Sequence, residues 1–265
     1  LERTMGKLCR KAAIRLVSKT VKRVTITEDN LEEFLSARRF LPPVLDKDPV
    51  GVVNGLAWTE VGGELLEVEV NVMEGSGKLE LTGNLGDVMK ESAHAAISCI
   101  RSRAAQLGID PEFYKNRDIH IHFPEGAVPK DGPSAGVAIT TAVVSALTGV
   151  RVRSDVAMTG EVTLRGRVLA IGGLKEKTMA AKRNGIRTVI IPRDNLRDLE
   201  DIDPVVREAL RFVPAETVDT VLAEALLRTE VVDSRDQKQE KEGREEIVTA
   251  FVPPEAAVKD SSLRQ

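Results

Sequence analysis

The chain predicts an α+β fold, a mixed sheet with helices packed against it, preceded by a short helical segment. Three observations lead there. Residues 52–73 (VVNGLAWTEVGGELLEVEVNVM) read as a hairpin turning at Gly62-Gly63, with Leu66, Val68, Val70 and Val72 on one face. Helical patterns near 87–107, 134–148, 174–184 and 216–227 alternate with strand patterns near 119–123, 156–160, 167–170 and 187–191. Residues 135–147 (AGVAITTAVVSAL) are small and apolar nearly all round, as a helix enclosed by a core must be.

The elements follow in order. Residues 1–43 are helical: LERTMGKLCRKAAIRLV forms one amphipathic helix, Thr27 caps a second short one over EDNLEEFLS, and Leu41-Pro42-Pro43 ends the pattern. Residues 44–228 carry the hairpin and the alternating elements. Gly75-Ser76-Gly77-Lys78 superficially resembles a phosphate loop. That motif needs a glycine five positions before the Gly-Lys pair and Ser or Thr after it. Val72 and Leu79 stand there instead, so the segment joins strands over 68–73 and 78–82, and no ATP hydrolysis by this chain is expected. Residues 229–265 are charged and poor in apolar side chains, and read as a mobile tail.

Composition narrows the function. The 265 residues are 42% apolar with a net charge of −3, which argues against a nucleic-acid-binding surface as the main partner. Cys9 and Cys99 lie in separate helical patterns, which suits a reducing compartment better than a disulfide framework. Neither a signal peptide nor an apolar run of membrane-spanning length is seen.

Two stretches carry chemistry. In PKDGPSAG (residues 129–136), Ser134 stands in a Gly/Pro turn at a helix start, where unpaired N–H groups and the helix dipole favour negative charge. Donors around Asp131, Gly132 and Ser134 could form an oxyanion hole. The same position is equally that of an ordinary N-cap serine. In GGLKEK (residues 172–177), a helical wheel puts Lys177 on the inward stripe with Leu174, Thr178 and Ala181, while Lys175, Lys182 and Arg183 point elsewhere. A buried lysine loses its proton near neutral pH and can act as a base. A lysine snorkelling from the helix edge is the other reading. His120 and His122 share one face of a strand; with no cysteine or carboxylate cluster nearby in sequence, no metal site is expected. Trp58, the sole tryptophan, sits on the hairpin, where core packing is the plainer role.

DVMKESAHAA (87–96), IHIHFPEGAVPKDGPSAG (119–136), TGEVTLRGRVLAIGGLKEK (159–177) and GIRTVIIP (185–192) together resemble the bacterial-type proteolytic domain of Lon, the ATP-dependent serine protease with a Ser–Lys dyad, over about residues 1–228. The resemblance implies Ser134 as nucleophile and Lys177 as general base. Thr159 would orient the lysine, Asp131 would shape the turn and influence whether the site is open or collapsed, and Glu161 would lie close by. Gly132 and Ser134 would supply the oxyanion-hole N–H groups, His120 would lie near the groove and Trp58 would line it. It further implies that residues 1–43 are the end of the helical subdomain of an AAA+ module. The ATPase, with its ATP and Mg, would lie upstream of Leu1. The implied partners are identical subunits in a homohexameric ring and unfolded or damaged proteins. The implied location is the bacterial cytoplasm rather than the mitochondrial matrix. Lon-like domains of RadA and chelatase-like ATPases, which serve as assembly or binding modules, generally lack the Ser–Lys pair that is present here.

Overall fold

The computed structural model describes residues 2–18, 23–27, 30–35, 48–59 and 62–227. The chain opens with α1 (Glu2–Val17), whose Leu8 is buried, and α2 (Leu31–Leu35), whose Phe34 is buried under the Arg15 guanidinium, 4.3 Å above the ring. Thr27 is not a cap. Its N–H donates to Asn30 Oδ1 at 2.8 Å, and Asn30 directly precedes α2. The Leu41-Pro42-Pro43 break and the tail over 229–265 lie outside the described residues.

The sheet begins with β1 (Val52–Thr59) and β2 (Gly62–Glu74), antiparallel and paired from Val52↔Glu69 to Thr59↔Gly62. Gly62-Gly63 are not the turn, because they already belong to β2, paired with Thr59 and Trp58; residues 60–61 lie outside the described set. Leu66, Val68 and Val70 are buried on one face, with Val72 packed beside them. After β3 (Leu79–Thr82) come α3 (Asp87–Arg103), a 3-10 turn, α4 (Phe113–Asn116) and β4 (Arg117–His122). The Gly75–Lys78 link wraps a carboxylate of the chain itself, since the N–H groups of Ser76 and Lys78 each donate to Asp118 Oδ1 at 2.8 Å. These bonds hold the Asp118 carboxyl below its usual range.

The helix α5 (Gly136–Thr148) is buried from Gly136 to Ser145. Its Thr140 and Thr141 hydroxyls, which would otherwise be orphaned in the core, donate to the carbonyls of Gly136 and Val137. Then follow β5 (Val156–Met158), the ribbon β6 (Glu161–Val162) and β7 (Val168–Leu169), α6 (Leu174–Arg183) and β8 (Thr188–Pro192). A nine-residue 3-10 segment, α7 (Pro204–Ala209), β9 (Arg211–Ala215) and α8 (Val218–Ala225) complete the described chain.

The strand order is β3-β4-β2-β1-β5-β8-β9. The β1/β2 and β2/β4 pairs are antiparallel, and the others are parallel. Two separate clusters of buried apolar residues flank the sheet. One joins α3, α5 and α8 to β2, β4 and β5, through Ile100, Ile139, Val221 and Val68. The other joins α6 and α7 to β1 and β8, through Leu56, Leu174, Ala181, Val206 and Ile191. Each large aliphatic side chain fully buried here contributes about 1.5–3 kcal/mol. The two clusters hold α5 and α6 against the central strands β1 and β2, with one functional candidate, Lys177, on α6 and the other, Ser134, in the turn just before α5.

Candidate active site

Ser134 lies in the 3-10 turn Pro133–Ala135 that leads into α5. Gly132 enters the turn at φ +115°, a conformation that a side chain rarely adopts. Ser134 is not a cap: neither the turn nor α5 has a side-chain cap hydrogen bond. Its Oγ instead accepts from Lys177 Nζ at 3.1 Å.

The chain following β5 holds the turn from behind. Gly160 N–H donates to the Ser134 carbonyl at 2.8 Å, and Val137 N–H donates to the Gly160 carbonyl at 3.1 Å. Thr159 N–H is fixed on the Ile190 carbonyl of β8 at 3.1 Å. That leaves the Thr159 hydroxyl to accept from Lys177 Nζ at 3.0 Å while it donates to the Ser134 carbonyl at 3.4 Å. Sheet topology thus brings Ser134, Thr159 and Lys177 together from three separate stretches of sequence.

Lys177 sits on the inward stripe of α6 with Leu174, Thr178, Ala180 and Ala181. It is 3% exposed, so it does not snorkel. Burial lowers its pKa to about 8, with no charged neighbour contributing. In solution an ammonium carries three hydrated N–H groups; here it has two hydroxyls and an apolar wall, so the charged form is penalised and the neutral amine becomes accessible.

Asp131 is exposed and reaches back to α3, accepting from Met89 N–H at 2.9 Å and from Gly132 N–H at 2.8 Å. It thereby caps α3 from outside that helix. The Gly132 N–H expected to face an oxyanion is thus engaged by this carboxylate. Glu161 is on β6, two residues past Thr159 and paired with Leu169. His120 is not gathered into the cluster. It sits on β4, with β2 and β1 between it and β5. Its Nε2 meets Thr82 Oγ1 at 2.8 Å, and the same oxygen meets His122 Nδ1 at 2.7 Å. Trp58 is no core residue: it is 57% exposed and lines a cavity of about 190 Å³ with Leu66, Met89, Pro124, Val128 and Asp131. Lys130 folds the outer wall of that cavity, donating to the carbonyls of Glu125 and Val128 at 2.7 and 3.2 Å.

One supporting residue left no readable signal in the sequence. Asn195 is 2% exposed, accepts from Ile171 N–H at 3.0 Å and donates to the Ile171 carbonyl at 2.9 Å, which secures the segment entering α6. Asn195→Leu keeps the bulk and leaves both Ile171 groups unpaired. It is expected to destabilise the domain by about 2–3 kcal/mol, measured by urea unfolding.

Residues 25–228 match the family of the Lon protease (S16) C-terminal proteolytic domain. The chain is 59% identical over 228 residues to a Lon protease of Finegoldia magna, covering 86% of this chain and 29% of the relative. It is 57% identical over 236 residues to that of Brevibacillus choshinensis, covering 89% and 30%. It is 52% identical over 262 residues to that of Desulforamulus reducens, covering 98% and 31%. The chain therefore spans less than a third of the length of each of these relatives. Among the described residues, no helix is long and apolar enough to cross a membrane. By the family match and these identities, the chain belongs to the Lon protease C-terminal proteolytic domain family.

Proposed function

We propose that the domain is a serine endopeptidase working through a Ser134–Lys177 dyad. The observation that carries this reading is a buried lysine amine 3.1 Å from a serine hydroxyl, with no carboxylate or other cation setting its pKa. Neutral Lys177 takes the Ser134 proton as Oγ attacks the scissile carbonyl carbon, and the ammonium then protonates the leaving amine. Water attacks the acyl-enzyme with Lys177 again as base, which regenerates the serine. Thr159 holds the amine on line. The Ser134 N–H would face the oxyanion, and Gly132 would join it once Asp131 releases its N–H. A purely structural module gains nothing from a desolvated lysine at this position, since burying it costs stability.

In a protein of the relatives' full length, the domain would act in a homohexameric ring in the bacterial cytoplasm. An upstream AAA+ module using ATP and Mg would feed it unfolded or damaged proteins. Residues 1–43 would be the end of that module, and residues 44–228 the peptidase. The Trp58-lined cavity beside Asp131 would receive the side chains of an extended substrate.

The test is labelling with a peptidyl boronate or fluorophosphonate followed by peptide mapping. One adduct per chain on Ser134, absent from Lys177→Ala, is expected; an adduct elsewhere overturns the assignment. Thr159→Val should lower kcat by about 10–100-fold with KM little changed, and Thr159→Ser should recover most of it. Casein should be cut without ATP. A stably folded domain should survive with or without ATP, because the roughly 5–15 kcal/mol needed to open it must come from a motor.

A further inference from the structure

The β1–β2 hairpin grips α6 at three points. At the first, a Cβ added to Gly63 would lie 1.9 Å from the Glu176 carbonyl oxygen and 2.9 Å from Lys177 N. Those atoms are backbone, so no side-chain rotation makes room. At the second, Trp58, which pairs with Gly63 across the hairpin, covers the N-cap of α6. A Cβ on Gly173 would lie 2.9 Å from Trp58 Cβ and Cγ, and Gly173 adopts φ +70°. At the third, Arg183 in the last turn of α6 donates from Nη2 to the Gly63 carbonyl at 2.9 Å. The same hairpin also forms a wall of the cavity through Trp58, Thr59, Glu64 and Leu65. The hairpin therefore touches both the cavity and the Glu176–Lys177 peptide.

We infer that Gly63 is a positioning residue for Lys177: its missing side chain lets the hairpin seat directly on the peptide that carries the lysine and registers the base against the cavity wall. This inference rests on Lys177 being the general base. A methyl group at residue 63 must drive the two backbones apart by about 1 Å or more before reaching ordinary contact distance. The Lys177–Ser134 contact is 3.1 Å, near the upper limit of a good hydrogen bond, and cannot absorb that movement. Opening this seam also lets water reach an amine that is otherwise 3% exposed.

The experiment compares Gly63→Ala, Arg183→Ala, Ser134→Ala and Lys177→Ala in the same chain. Peptide kinetics across pH, fluorophosphonate labelling and thermal melts are measured for each. For a cooperatively melting Gly63→Ala, kcat and the labelling rate should fall about 100-fold, with KM within about twofold. The midpoint of the rise of kcat with pH should move up, because a wetter lysine holds its proton more tightly. A merely structural role would lower the melting temperature without moving that midpoint. A folded Gly63→Ala with wild-type kcat and midpoint overturns the inference. If Gly63→Ala does not fold, Arg183→Ala decides, since it loosens the same seam without adding atoms. A severalfold lower kcat with an upward midpoint supports the inference, and unchanged values overturn it. Full activity in Ser134→Ala or Lys177→Ala would instead sink the dyad itself, an outcome distinct from either result at Gly63.

Discussion

Ser134→Ala is expected to reduce peptide cleavage at least about 1,000-fold while the domain keeps its fold and melting temperature. The substitution deletes the only atom that can attack the carbonyl. It costs little stability because the hydroxyl serves no helix end: the turn and α5 have no side-chain cap. The roughly 1 kcal/mol commonly lost with a capping serine therefore does not apply. Lys177 keeps Thr159 Oγ1 at 3.0 Å, so the buried amine is not stranded. The backbone bonds that shape the turn, from Gly160 N–H to the Ser134 carbonyl and from Val137 N–H to the Gly160 carbonyl, involve no side-chain atom of Ser134. Adding Lys177→Ala to Ser134→Ala should cost almost nothing further, because residues acting as one unit are not additive. The measurements are hydrolysis of a fluorogenic peptide and a calorimetric melt. More than a few per cent residual activity would remove Ser134 from the nucleophile role.

The parts of the fold legible in the sequence are those with a local period. Alternation along 64–72 identified the buried face of β2, and the apolar run over residues 135–147 identified the enclosed helix α5. The short elements α4, α7 and β9 carried too few residues to show a period, and Pro214 inside β9 hides a parallel edge strand. Glycine pairs were ambiguous in another way. Gly62-Gly63 looked like a turn because glycine permits one, but the closeness of α6 is what requires the missing side chain at Gly63. In the site, the wheel placed Lys177 inward because helical geometry is local. The meeting of Ser134, Thr159 and Lys177 depends on β5 lying between β1 and β8, which no local pattern encodes. Family resemblance alone suggested that grouping. Whether Ser134 capped its helix or faced a lysine was likewise a tertiary question, settled by a contact with α6.

Lys177 makes the sharper prediction, because activity and stability should move in opposite directions. Its pKa of about 8 lies below the ordinary 10.5, so the folded state binds the proton less tightly than the unfolded chain does. The sign follows. The penalty is fully present below pH 8, shrinks as pH rises through the interval up to 10.5, and is gone above it. At about 1.4 kcal/mol per unit, the buried amine costs on the order of 3 kcal/mol at pH 7. Lys177→Met fills the space without a charge. It should be inactive yet more stable than the parent at pH 7 by up to about 3 kcal/mol, an advantage that fades towards pH 10. Thr159 would not be orphaned, since its hydroxyl also donates to the Ser134 carbonyl. Lys177→Arg should be equally inactive but destabilised, because guanidinium cannot shed its proton in this pocket. In the parent, kcat should rise with pH about a midpoint near 8, with about a tenth of the molecules carrying the neutral amine at pH 7. Urea unfolding of the three proteins at pH 7 and 10, beside a kcat–pH profile under conditions where acylation is rate-limiting, tests both halves. A flat profile from about pH 6 to 9 would contradict an amine base. A Lys177→Met protein less stable than the parent at pH 7 would show that the lysine is held charged and satisfied, in conflict with a burial-lowered pKa.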